Sequence, residues 1–116
     1  MRFCLVHRFL GCLHSFHETW DTFPGVARIV DRFHHTLAVN PFAEKQGMKV
    51  GEICAARKSP ENHRGCLKLK VLSTGKAGID RPSEGKIRGW LPVKGYPDVV
   101  IHFSLTLPEL AEWAGK

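Results

Sequence analysis

Acidic residues are scarce in this sequence: eleven Asp and Glu stand against seventeen Lys and Arg, which leaves a formal charge of +6 over 116 residues. A deficit of acid disfavours cationic partners and leans the protein toward polyanions. Long apolar runs are missing as well. No stretch reaches the roughly 18 uncharged apolar residues that cross a bilayer as a helix, so no membrane partner is expected. The opening MRFCLVHRFLGCLHSFHETW is broken by His7 and Arg8 and offers no small-residue cleavage site. It is not expected to direct export. The four cysteines, Cys4, Cys12, Cys54 and Cys66, include no C-x-x-C pair. They are expected to be thiols in a reducing compartment, which points to the cytoplasm. Internal repeats and low-complexity tracts are lacking too.

What remains is ordinary globular material, 43% apolar and 24% charged. A chain this long suits one domain, since domains cluster near about 100–150 residues. FCLVHRFL, residues 3–10, is apolar and partly β-branched or aromatic, which suits a buried strand, and LHSFHETW has the spacing of a helix. The Pro24-Gly25 turn precedes VARIVDRF, whose Val26, Arg28 and Val30 alternate with Ala27, Ile29 and Asp31. TLAV makes a further short strand. Asn40 followed by Pro41 opens a short helix, FAEKQ, with Asn as the N-cap and Pro where no amide hydrogen is needed. From Glu52 to Arg57 the pattern admits a strand or a second short helix.

In CLKLKVLS, Leu67, Leu69 and Val71 alternate with Lys68 and Lys70, the pattern of a half-buried strand with one cationic face. Residues 74–85 are rich in Gly, Pro and Ser and read as a flexible loop. KIRGWLPV and DVVIHFSL are two more strands, joined by a turn at Lys94-Gly95-Tyr96-Pro97. LTLPELAEWAGK places Leu107, Leu110, Ala111 and Ala114 at helical spacing and is expected to close the fold as a short amphipathic helix. The sum is a single α+β domain over residues 1–116, with five or six mostly antiparallel strands and two to four short helices.

Charge placement carries the strongest functional signal. Between Arg57 and Lys94 lie ten basic residues and three acids, an excess of seven that leaves the rest of the chain at minus one. A cationic strand face and loop built from Arg57, Lys58, Arg64, Lys68, Lys70, Lys86 and Arg88 would hold phosphates by counterion release, with Trp90 as a stacking platform. The plainer reading makes Lys68 and Lys70 the wet face of an edge strand. Cys12-x-His14-x-x-His17 and His63-x-x-Cys66 lack the paired spacing of a zinc site, so neither metal nor cofactor is expected. Cys54 or Cys66 beside His63 is the one compact thiol–imidazole grouping from which a cysteine-dependent enzyme would be built. Glycines at 47 and 51 are too sparse for a phosphate loop.

Two resemblances attach to these residues. RFCLVHRFL, PGVARIV and TLAVNPFAEKQGMKVGEICAAR, within residues 3–57, resemble the N-terminal palm segment of Y-family DNA polymerases, especially non-catalytic accessory members. Ala43, Gly47 and Gly51 keep that family's A-x-x-x-G-x-x-x-G spacing, and Ala56-Arg57 lies one position early. The family's metal-binding Asp is missing where His7 stands, and its later Asp-Glu pair is absent from residues 58–116. The resemblance thus implies a relative without nucleotidyl transfer, because that chemistry needs carboxylates for two metal ions. More loosely, VNPFAEKQGMKVGE through HRGCLKLKVLSTGK is similar to ASCH- and PUA-like RNA-binding barrels, through a Gly-x-Lys-x-x-Glu turn and an Arg-Gly strand. The sequence therefore points to a small non-catalytic nucleic-acid-binding protein. The alternatives are a protein-interaction or homo-oligomer module with Trp20, Trp90, Phe103 and Trp113 in an exposed patch, and the cysteine enzyme.

Overall fold

The first twenty residues carry Phe9, Cys12, Leu13, Phe16 and Trp20, spaced three and four apart, and that stripe decides their structure. In the computed structural model, which describes residues 2–53 and 67–106, they form helix α1, Arg2–Trp20. The strand expected at residues 3–10 is thus part of a helix. Local apolar continuity suits either form; the longer 3.6-residue period favours the helix, because it lets one face be buried. Phe16 is buried against Ala27, Ile29, Ala38 and Val99, with Phe9, Cys12, Leu13 and Trp20 packed around them.

Five strands follow: β1 Val26–Asp31, β2 Thr36–Val39, β3 Gly78–Ser83, β4 Lys86–Val93 and β5 Tyr96–Thr106. They form one sheet in the order β2-β1-β5-β4-β3, with every neighbouring pair antiparallel. Two tight glycine turns make the β3-β4-β5 meander. Gly85 and Gly95 have φ of 81° and 89°, the left-handed region that glycine enters without steric cost. The sheet therefore carries α1 on one face and two short helices on the other.

Those helices are α2, Pro41–Lys45, and α3, Lys68–Thr74. Ala43 of α2 packs with Val26 and Val39, whereas Val71 of α3 packs with Trp90 and Val100. Alternation in CLKLKVLS suggested a strand, but the structure buries Val71, half-buries Leu67 and leaves Leu69 61% exposed. That is helical spacing. The expected loop at 74–85 contains β3, an exposed edge strand that draws its order from backbone pairing to β4. Its Pro82 is tolerated because an edge strand leaves some amide positions unpaired. The expected C-terminal helix at 107–116 and most of the 52–57 element lie outside the described residues; within the latter, Ile53 bridges His35.

Asn40 joins these parts. It is fully buried, and its Oδ1 accepts from the amides of Ala27 and Ala43 at 3.1 and 3.0 Å. Its Nδ2 donates to the carbonyls of Trp20 and Gly25 at 3.0 and 2.9 Å. One side chain thus caps α2 and ties the end of α1 to the start of β1.

Candidate functional site

Antiparallel register brings a polar block onto the sheet face opposite α1. Across that face one row runs Arg28 on β1, His102 on β5, Trp90 on β4 and Gly78 on β3. The next row is Val26, Ser104, Arg88 and Asp80, and the one beyond holds Thr106, Lys86 and Ser83. Helix α2 covers the Val26–Val39 side, and α3 covers Val100 and Trp90. The polar rows stand between two apolar patches.

Arg88, Asp80, His102 and Trp90 in this block have partners that explain their placement. Arg88 grips Asp80 with two bonds, Nε to Oδ1 at 2.9 Å and Nη2 to Oδ2 at 2.7 Å, the bidentate arrangement a planar guanidinium favours. Its Cζ also lies 5.2 Å from the Trp90 ring centroid. His102 stacks on Trp90 with centroids 4.6 Å apart and an interplanar angle of 9°. The His102 Nδ1 donates to the Gly89 carbonyl at 2.9 Å, which assigns the ring proton to Nδ1 in the neutral form. Arg28 is 7% exposed, and its Nε has no hydrogen-bond partner among the described residues.

The same burial governs His102. Desolvation, followed by repulsion from Arg28, lowers its pKa from 6.5 to about 4, although the Gly89 bond and Asp80 act the other way. Its folded-state pKa lies below the unfolded value, so the unfolded chain binds a proton between about pH 6.5 and 4 that the folded one refuses. Stability is expected to fall as pH drops through that window and to level off below it. Urea midpoints across the window check this, and His102→Gln should flatten the profile there.

Of the residues the sequence singled out, Arg57, Lys58 and Arg64 lie outside the described residues. Lys70 is exposed on α3, and Lys86 is half-buried on β4 in the polar block. Lys68 belongs to no strand face. It is 3% exposed, and its Nζ donates to the Asp31 carbonyl at 2.9 Å and meets His34 Nδ1. Trp90 is 1% exposed, packed beneath α3 with His102 and Arg88 on its ring, and offers no open face for a base. Arg28 and His102 went unnoticed in the sequence. The available signal was a charge in the middle of VARIV, a segment otherwise apolar enough to be buried on both faces.

The Cys12, His14 and His17 constellation does not assemble. Cys12 faces the sheet from α1, while His14 and His17 are exposed and paired with Glu18 and Asp21, each at 2.8 Å. Among the described residues no three His, Cys, Asp or Glu side chains are grouped to hold a metal ion. Cys54, Cys66 and His63 lie outside the described residues. Burial raises the Cys12 thiol above its usual pKa, the opposite of nucleophile activation, although it lines an apolar cavity of about 510 Å³ between α1 and the β4–β5 turn. Trp20 stacks on Phe103, and Phe23 packs edge-on to both, so these rings belong to the sheet's α1 side more than to an open patch. Among the described residues no helix is long and apolar enough to cross a membrane. No protein-family model, curated protein or solved structure matches the chain.

Proposed function

We propose that this is a small non-catalytic nucleic-acid-binding domain of the cytoplasm, contacting backbone phosphates through Lys86 on the sheet face that also carries Arg28 and Arg88, and through Lys70 and Lys76 beside it. The observation that carries the reading is Arg28, a guanidinium held in the sheet with its Nε unpaired. A buried cation is expensive unless something answers it, and the chain's +6 charge selects anions as that answer. Lys70 and Lys76 are exposed at α3 and just after it, and α3 packs on β3 through Leu67 and Val71 against Gly78. The cations of the helix and of the β3–β4 hairpin thereby fall on neighbouring elements. Trp90 has no part in base stacking on this reading, so recognition is of backbone phosphate and not of base identity.

Replacing Lys70, Lys76 and Lys86 together with Gln is the test. The three residues are exposed or half-buried, so the fold should persist by circular dichroism. Polyanion affinity should fall, and the slope of log K against log salt should flatten by about two to three. An unchanged slope would remove these lysines from the interface. Lys68 is left out of the variant because its bond to the Asp31 carbonyl makes it structural.

An interaction module is favoured by a different observation, the exposure of Ile79 at 62% and Ile87 at 38% on the α1 side of the sheet. The neighbouring edge works against strand pairing, since Pro82 interrupts it and Arg81 is exposed on it. Phosphate binding remains the better supported of the two.

A further inference from the structure

Arg28 is the only residue among the described ones with a buried side-chain nitrogen or oxygen that lacks a hydrogen-bond partner. A folded protein ordinarily satisfies such groups, so an exception of this kind needs its own explanation. The surroundings sharpen the point. Its row neighbour His102 is neutral at physiological pH, and the nearby Arg88 is already neutralised by a bidentate bond to Asp80. Asp80 is therefore engaged, and no ion pair to Arg28 occurs among the described residues. Among the described residues Arg28 is thus a recessed positive charge without an ion pair, set in the polar rows between two apolar patches.

Shape narrows what can answer it. At 7% exposure Arg28 is no part of an open groove along which a strand could lie. An internal phosphodiester carries an ester carbon on each side, whereas a terminal phosphate presents three free oxygens on one end and can reach a recessed guanidinium. The planar fork of donors on Arg suits a tetrahedral oxyanion better than a point charge does. We propose that Arg28 and His102 form a site for a single terminal phosphate group, a phosphate monoester, at the end of a nucleic-acid strand. This rests on the nucleic-acid reading above only for the identity of the group that carries the phosphate.

His102 gives the site a proton-linked signature. Its Nδ1 is committed to the Gly89 carbonyl, which leaves Nε2 as the ring's second polar atom. The charges that bear on it are Arg28 from β1, Arg88 from β4 and Asp80 from β3. Lys86 lies two residues along β4 from Arg88; α2 contributes exposed Glu44 and Lys45, and α3 contributes exposed Lys70 together with Lys68, which is engaged at Asp31 and His34. A bound phosphate anion lowers the positive potential that Arg28 and Arg88 set on His102 and makes its protonation easier, so that the imidazolium donates from Nε2 to the phosphate.

The test compares one short oligonucleotide in three forms, with a 5′-phosphate, with a 3′-phosphate and with hydroxyl ends, binding to the full chain. A phosphorylated end should tighten binding about tenfold or more, and Arg28→Met should abolish that difference. Because Arg28→Met removes a buried side chain, a second measurement uses the unaltered protein: inorganic phosphate should raise the His102 midpoint, followed by NMR, from about 4. Equal binding of all three oligonucleotides, with His102 unmoved by phosphate, overturns the site and leaves polyanion binding standing. If no oligonucleotide binds while phosphate still moves His102, the oxyanion site is supported and the nucleic-acid reading fails.

Discussion

Replacing Asn40 with Asp is expected to destabilise the fold by about 3–5 kcal/mol, most of what a small domain has to lose. The amide makes four hydrogen bonds, two as acceptor and two as donor, and none of its polar surface is exposed. A carboxylate keeps the bonds from Ala27 and Ala43. It loses both donors, and its second oxygen then faces the carbonyls of Trp20 and Gly25, which repel it. The consequences spread because those carbonyls belong to the end of α1 and the turn before β1. Urea denaturation at neutral pH measures the loss, which should shrink on acidification as the introduced carboxyl takes up a proton. A change under about 1 kcal/mol would mean that the four bonds are not a joint that holds the helices to the sheet.

Gly25→Ala is expected to cost about 2–3 kcal/mol, for steric reasons. An added Cβ would run into the carbonyl oxygen of Ser104 and would stand 3.1 Å from both the Leu105 methyl and the Phe23 ring. The rings and methyls can shift. The Ser104 carbonyl cannot, because Ser104 is registered opposite Val26 where β1 meets β5. Opening that end of the pair also pulls on the Gly25 carbonyl that Asn40 holds, so the two substitutions should not be additive. A double-variant cycle measures the coupling.

Strands were the legible part of this sequence. Val26–Asp31, Thr36–Val39 and Lys86–Val93 follow the apolar patterns of VARIVD, TLAV and KIRGWLPV, and α2 begins where Asn40-Pro41 announces it. The helices were harder because their local patterns mimic strands. In α3 the alternation of Leu67, Leu69 and Val71 is broken only by tertiary structure: the helix turns Leu69 outward and brings Lys68 in, where the Asp31 carbonyl and His34 satisfy its ammonium. No short-range rule reads a buried lysine from sequence, since its partners lie 37 and 34 residues away. Strand β3 was concealed for the opposite reason. Its side chains are mostly exposed and polar, and its order comes from backbone bonds to β4, which composition does not report.

The proposed site was legible in charge and illegible in geometry. An excess of basic residues between 57 and 94 was visible at once, and Lys70, Lys86 and Arg88 do lie on the elements near one face. Register, however, is what sets Arg28 beside His102 and Arg88 beside Asp80, and pairing between β1 and β5 spans most of the chain. Trp90 illustrates the limit. Its ring looked available for bases, but α3 covers it and His102 stacks on it.

The most direct measurement is a fluorescence-anisotropy titration of single- and double-stranded DNA and RNA with the folded full chain at about 50 and 200 mM salt. Micromolar or tighter binding that weakens steeply between the two salts is the expected result, because released counterions drive phosphate contacts. Absence of binding to all four ligands at the lower salt would contradict the account and reduce the +6 charge to a determinant of solubility.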